Sequence, residues 1–292
     1  MAHDNTMARA EALIEALPYI QKYRGELVVI KYGGSAMEDE NTVERLLRDV
    51  VFLEAVGINP VLIHGGGKAI SSRMREAGLK PRFVNGLRVT CGESINIVQD
   101  VLDNVLNPNI VRTINDFGGR AVGFSGRDVF KAARLPTFRD AKGEEIDYGF
   151  VGQVTGADLE EIGKAVAQEQ VPVISPIARD EEGVIYNVNA DTAAGAVAAA
   201  LGASKLIYLS DVLGIMRDPK QADSLIPTLP ISGVKRLIEE EIIEGGMIPK
   251  VESAMHAIER GVKKVHFIDG RIPHSLLLEI FTNSGVGTEI IA

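Results

Sequence analysis

The sequence predicts an α/β fold built on a mainly parallel central sheet with helices on both faces. Three observations carry this. Leu27-Val28-Val29-Ile30 and Val61-Leu62-Ile63 are short, unbroken apolar runs, as in strands buried on both sides. Val43, Leu46, Leu47, Val50 and Val51 lie between them at i, i+3, i+4, i+7, i+8, one face of a helix. Each run opens into glycines, Lys31-Tyr32-Gly33-Gly34 and His64-Gly65-Gly66-Gly67, ahead of a helical segment. Strand-loop-helix repeated in this order implies a parallel sheet.

The elements follow in turn. The first helix ends near Gly57, and Pro60 opens the strand running to His64. A helix is expected over 68–77, stopped by Gly78. Residues 82–90 read as a β-hairpin, because Asn85-Gly86 is the preferred two-residue type I′ turn. Ile95, Val98, Leu102 and Val105 mark a helix interrupted at Pro108. Short strands are expected over 121–124, 129–135 and 150–155, with the charged stretch 138–147 as a loop. Residues 171–174, 206–209 and 265–268 are further buried strands, and the Ala-rich 193–201 suits a helix packed closely on the sheet. A soft lobe boundary falls near residue 187, after the Gly183 turn.

Composition narrows the function classes. The 292 residues can bury a large core. No apolar run approaches the roughly 18 residues of a membrane span. The first 20 residues carry acidic side chains and no long apolar stretch, so a signal peptide is not expected. The single cysteine, Cys91, excludes an intramolecular disulfide and fits a reducing cytoplasm; no neighbour recommends it as a nucleophile. Net charge −9 argues against a dedicated nucleic-acid binder, so an anionic ligand must be met by placed cations.

The two glycine loops suit anions. Glycine lets the backbone approach a ligand closely, and a following helix N-terminus offers free N–H donors. Two such loops, one headed by Lys31, point to a site for two anionic ligands; plain strand-ending turns are the alternative. Three polar clusters follow. In Asn187-Val188-Asn189-Ala190-Asp191, Asn189 is a natural N-cap and Asp191 suits the first turn. Ser210-Asp211-Val212-Leu213-Gly214 follows a strand, where open α/β sheets bind ligands or simply turn. In Gly245-Gly246-Met247-Ile248-Pro249-Lys250, Pro249 suits a first helical turn. Lys250 there opposes the helix dipole unless an anion compensates; a solvated lysine is the alternative.

Together these segments resemble the amino acid kinase family, over residues 26–292. The carrying motifs are Val29–Gly34, Val61–Gly67, Asn85–Thr90, Asn187–Asp191, Leu209–Gly214 and Gly245–Lys250. Six modest motifs in this order and spacing are specific. The resemblance implies a three-layer αβα sandwich in two lobes, residues 25–187 holding an amino acid and 188–292 a nucleotide. It points to the branch that phosphorylates the side-chain carboxylate of N-acetyl-L-glutamate with ATP in arginine biosynthesis, Mg2+ entering bound to ATP. By the same resemblance Lys31 and Lys250 are the transition-state lysines and Asp191 organises them. Gly33 and Gly34 cover the phosphates. Gly66, Gly67, Arg88 and Asn187 contact the acetylated amino acid, and Ser210 and Asp211 lie on the nucleotide side. No protein metal ligands are implied.

The inventory suits the chemistry. A carboxylate acceptor of pKa ~4.3 is ionised at neutral pH and needs no general base. Its repulsion from the γ-phosphate must be overcome by position and positive charge. His64 has no proton to take. Arg88 can grip an α-carboxylate bidentately, and Asn187 can both donate to and accept from an acetamide. Two departures from the family pattern are Asn107-Pro108-Asn109, where relatives often carry Asn-Lys, and Ser210 in place of threonine.

Residues 1–24 exceed the minimal kinase and place Leu13, Leu17 and Ile20 on one helical stripe. The helix either folds back on its own subunit or, by resemblance to arginine-inhibited members, joins dimers into a hexamer. Tyr19, His266, Glu279 and Gly287 are then the candidates for an L-arginine site. Rival readings are a kinase of acetylaminoadipate or aspartate, a nucleotide-binding oxidoreductase, and an idle arginine sensor. Lys31-Tyr32-Gly33-Gly34-Ser35 lacks the Gly-x-Gly-x-x-Gly pattern of the oxidoreductase, and retention of Lys31, Asp191 and Lys250 speaks against the sensor.

Overall fold

Side chains alternate across the buried strands, and this sorts the core into two layers. Val29, Val61, Ile63, Leu206 and Tyr208 face one way; Val28, Ile30, Leu62, Ile207 and Leu209 face the other. The computed structural model describes residues 2–37, 39–139, 143–218, 220–283 and 285–292.

Helix α1 (Ala2–Tyr23) leads to β1 (Leu27–Tyr32), α2 (Glu40–Ala55), β2 (Asn59–His64) and α3 (Gly67–Glu76). The hairpin β3 (Arg82–Val84) and β4 (Leu87–Val89) follows, then α4 (Gly92–Gln99), a π-helical stretch Asp100–Leu106 and α5 (Asn107–Asp116). Next come β5 (Ala121–Phe124), the single turn α6 (Gly126–Val129), β6 (Phe130–Arg134), β7 (Phe138–Arg139), β8 (Glu145–Ile146) and β9 (Val151–Ala157). Then α7 (Glu160–Ala167), β10 (Val171–Ile174), β11 (Ile177–Arg179), β12 (Ile185–Val188), α8 (Ala190–Ala200) and β13 (Lys205–Ser210). The chain closes with β14 (Thr228–Pro230), α9 (Ile231–Glu239), α10 (Ile248–Glu259), β15 (Lys264–Asp269), α11 (Ser275–Phe281) and β16 (Thr288–Ile291).

The central sheet has eight strands in the order β14-β16-β15-β13-β1-β2-β10-β5. The strands from β15 to β5 are parallel; β16 runs antiparallel to β15. Helices α8, α9 and α10 cover one face, and α2, α5 and α11 the other. This is the expected three-layer architecture. The boundary expected near residue 187 falls within β12, just ahead of α8, and the central sheet joins strands from both sides of it because β1 pairs directly with β13.

The hairpin forms as expected, with Asn85 (φ 48°) and Gly86 (φ 78°) both left-handed. Two expectations are corrected. Residues 138–147 are not all loop, since β7 pairs with β8; the intervening 140–142 lie outside the described residues. The helix does not break at Pro108 either. The π-helical stretch widens the turn ahead of Pro108, which then sits in the first turn of α5, where its missing N–H costs nothing. The small closed barrel β11-β12-β9-β6 was not anticipated. Among the described residues no helix is long and apolar enough to cross a membrane.

Candidate active site

The parallel strands β1, β2, β10 and β13 end on one edge, and the chain leaves β1 for β2 on one side and meets β13 on the other. That divide is where open α/β sheets bind ligands. Lys31 lies near the end of β1, in register with Ile63 of β2 and Tyr208 of β13. Asp191 lies in the first turn of α8. The Asn189 side chain caps that helix, accepting from the Asp191 N–H at 2.8 Å and the Thr192 N–H at 3.2 Å. Lys250 lies in the first turn of α10, beside Pro249.

These three charges converge. Lys250 Nζ donates to Asp191 Oδ2 at 2.6 Å. Lys31 Nζ lies 3.0 Å from Asp191 Oδ1, completing a second ion pair. Burial pushes the Asp191 carboxyl up, but the two lysines outweigh it and hold it below the usual carboxylate range. Burial pulls Lys31 below an ordinary lysine; Asp191 opposes that shift, Lys250 adds to it, and the Asp211 carboxylate favours the charged form. One buried carboxylate thus keeps two ammonium groups together that would otherwise repel.

The support is close-packed. The carbonyl of Asp191 accepts from Ser253 Oγ (3.1 Å) and from the Tyr208 phenol (3.2 Å). A Cβ at Gly195 would stand 3.0 Å from Ser253 Oγ, so glycine and alanine let α8 and α10 approach.

Lys31 and Asp191 open on a cleft of about 780 Å3, also lined by Gly34, Gly66, Gly67, Arg88 and Asn187. Gly34 is left-handed (φ 71°). A Cβ at Gly33 would sit 3.0 Å from Lys31 Nζ, and one at Gly66 2.7 Å from Leu102 and 2.8 Å from Leu106. Both loops therefore need glycine for space or for dihedral angle. Arg88 donates to the Gly67 carbonyl (2.6 Å), Ser71 Oγ (2.7 Å) and Met74 Sδ (3.2 Å), and lies 4.6 Å over the Phe83 ring. Asn187 faces Thr90, its Nδ2 3.4 Å from Oγ1. His64 is fully buried, and burial pushes its imidazole down to about 4, so it is neutral at pH 7.

Ser210 ends β13 and Asp211 follows it; neither lines this cleft. The Ser210 hydroxyl stays in the chain's own turn, 3.3 Å from the Val212 carbonyl. Arg271 holds the Asp211 carbonyl at 2.6 Å.

The remaining candidates gather elsewhere. His266 Nδ1–H donates to Glu279 Oε1 at 2.6 Å, and Glu279 Oε2 accepts the N–H groups of Val286 (2.7 Å) and Gly287 (3.1 Å). Burial pushes His266 down, leaving Nε2 to face the buried Lys205 ammonium at 3.1 Å. Tyr19 on α1 donates to Asn283 Oδ1 at 2.5 Å, beside a surface cavity shared with Lys22 and Phe281.

Sequence reasoning missed Ser71, Phe83, Thr90 and Lys205. Lys205 was passed over because the strand expectation began at the apolar Leu206. A lysine flanking such a run was its only signal. Ser71 and Phe83 had none, since their role depends on where Arg88 points.

Residues 26–269 match the sequence model of the amino acid kinase family. The chain belongs to the amino acid kinase family. Within the family it is similar to a protein named acetylglutamate kinase from Akkermansia muciniphila, 50% identical over 285 residues, covering 97% of this chain and 95% of that one. It is equally similar to an acetylglutamate kinase from Methanocaldococcus jannaschii, 50% identical over 287 residues, covering 97% and 96%. Its fold is shared with N-acetylglutamate synthase from Neisseria gonorrhoeae. The structure with coenzyme A and N-acetyl-glutamate matches at TM-score 0.85 and 26% identity, and that with coenzyme A and L-arginine at 0.80 and 25%. The match covers 97% of this chain but only 63% and 65% of the synthase chains, so this chain spans less than two thirds of the synthase.

Proposed function

We propose that the protein transfers the γ-phosphoryl group of ATP to the side-chain carboxylate of N-acetyl-L-glutamate, giving N-acetylglutamyl 5-phosphate and ADP, in arginine biosynthesis. The observation that carries this is the Lys31–Asp191–Lys250 cluster, of which Lys31 and Asp191 line the same cleft as Arg88 and Asn187.

The acceptor is already an anion, so the barrier is repulsion between two negative groups. Lys31 and Lys250 offer preorganised positive charge to the negative oxygens of the transferring phosphoryl group. Asp191 holds them but leaves N–H donors unspent, because each ammonium group has three. The N–H groups of Gly66 and Gly67, at the start of α3, have no partner within the helix and suit a carboxylate or phosphate. Arg88, fixed by Ser71 and Gly67, grips the α-carboxylate; Asn187 reads the acetamide. Gly33 and Gly34 cover the phosphates where the two ligands meet, and Ser210 and Asp211 lie on the nucleotide side; residues 25–187 mainly bind the amino acid and 188–292 the nucleotide. In this reading Mg2+ arrives on the phosphates of ATP.

Regulation is part of the same reading. L-Arginine would bind near Tyr19, His266, Glu279 and Gly287, with Lys205 beside them as a second charge. The exposed α1 would join dimers into a hexamer, a trimer of dimers, in the cytoplasm. The reaction is tested by incubating ATP with N-acetyl-L-glutamate, N-acetylaminoadipate, aspartate or glutamate and trapping acyl phosphate with hydroxylamine. Hydroxamate from N-acetyl-L-glutamate above the others is expected. A stronger signal from any other acceptor would overturn the substrate assignment.

A further inference from the structure

We infer that His64 and Asn107 are positioning residues that fix the glycine loop at residues 65–67 for the amino-acid substrate, and that the π-helical stretch before Asn107 serves to bring it there. The inference rests on the proposed function for the identity of that substrate. Its hydrogen-bond logic stands by itself.

The donors and acceptors admit one arrangement. A backbone carbonyl only accepts, so the Asn107 group 2.9 Å from the Val173 carbonyl is its amide nitrogen. That nitrogen has a second hydrogen, and His64 Nε2 lies 3.3 Å away. Nε2 is therefore the bare acceptor, and Nδ1 carries the ring proton. Nδ1 lies 2.8 Å from the Gly65 carbonyl, which can only accept. The Gly65 N–H is held too, donating to the Tyr32 carbonyl at 2.6 Å. Gly65 is thus tied on both sides just before Gly66 and Gly67.

The surroundings keep this arrangement in place. His64 is fully buried at the end of β2, so it cannot touch a ligand in the cleft, and it remains neutral. Asp103 is the charged group facing it, and both its oxygens are engaged: Ser175 Oγ donates to one at 2.5 Å and Ser125 Oγ to the other at 2.8 Å. Tyr32 of β1, in register with His64, is a phenol that burial keeps protonated. Asp103 lies within the π-helical stretch and Asn107 follows it directly. The packing is tight enough that a Cβ at Gly123 of β5 would stand 2.3 Å from Asn107 Oδ1. A π-turn is costly and rare, and it is kept mostly at functional sites.

The test has a spectroscopic arm and a kinetic arm. In the free full-length protein with 15N-labelled histidine at pH 7, His64 should show a protonated Nδ1 and a bare Nε2. An Nε2–H tautomer or an imidazolium would overturn the arrangement, whatever the substrate is. In kinetics, Asn107→Leu and His64→Leu should each raise KM for N-acetyl-L-glutamate about tenfold, with kcat and KM for ATP within about twofold. His64→Asn, which keeps an N–H for the Gly65 carbonyl, should recover most of that loss, and it serves also if the leucine variants fold poorly. Unchanged KM for N-acetyl-L-glutamate in both leucine variants, no recovery by His64→Asn, or a rise confined to ATP would each overturn the positioning role.

Discussion

Two ammonium groups within reach of one buried carboxylate set the behaviour of single residues. Asp191 raises the tendency of Lys31 to stay charged, while burial and Lys250 lower it. In the proposed function the charged lysine is the active form, so activity should be lost as pH rises through its folded pKa, which lies below the ordinary 10.5. Asp191→Asn removes the raising influence. The alkaline limb of the kcat/KM profile should then move toward neutral pH, and an unmoved limb would mean that Lys31 is not the group titrating. In the proposed function Arg88 contacts a carboxylate that does not react. Arg88→Ala should therefore raise KM for the amino-acid substrate by about tenfold or more while KM for ATP stays nearly constant, and an equal rise in both would assign the hairpin to the wrong ligand. Lys31, Asp191 and Lys250 stood out in the sequence beside a glycine loop, a helix cap and a proline-marked first turn, whereas Arg88 was singled out by resemblance to the family. Ser71, Thr90 and Lys205 were not, because their partners are distant in the chain.

At the scale of elements, α1 is divided in its attachments. Its last turns dock: Tyr19 meets Asn283, and Tyr23 packs on the core. Its earlier turns expose Leu13 (64%), Ile14 (69%) and Leu17 (45%). The fold-back reading thus holds for the last turns, while the apolar side chains of the earlier turns stand exposed on the single chain. An exposed apolar stripe is better suited to a subunit interface than to water. Deleting residues 1–24 should leave kinase activity, reduce a hexamer to a dimer in light scattering, and weaken inhibition by L-arginine through loss of Tyr19. An unchanged oligomer with an unchanged arginine response would show that α1 only packs. The elements that sequence patterning found are those whose period or punctuation is local: β1, β2, α2 and the Asn85-Gly86 hairpin. It misjudged Pro108 because proline conflicts with an α-helical ladder, and nothing in the composition announces a π-turn. The strands of the small barrel are three to seven residues long and declare themselves only by pairing.

At the scale of the molecule, a chain of net charge −9 binds its anions with a few cations placed at one edge of a continuous sheet. The order β15-β13-β1-β2-β10 brings Lys31 from the first strand beside a helix that starts at residue 190 and another that starts at residue 248. This convergence is the central claim, and turnover of two purified, folded variants tests it most directly. Lys31→Ala and Lys250→Ala should each lower kcat by at least about two orders of magnitude, the roughly 3 kcal/mol that one preorganised charge contributes to a transition state. Near-native kcat in either variant would contradict the account.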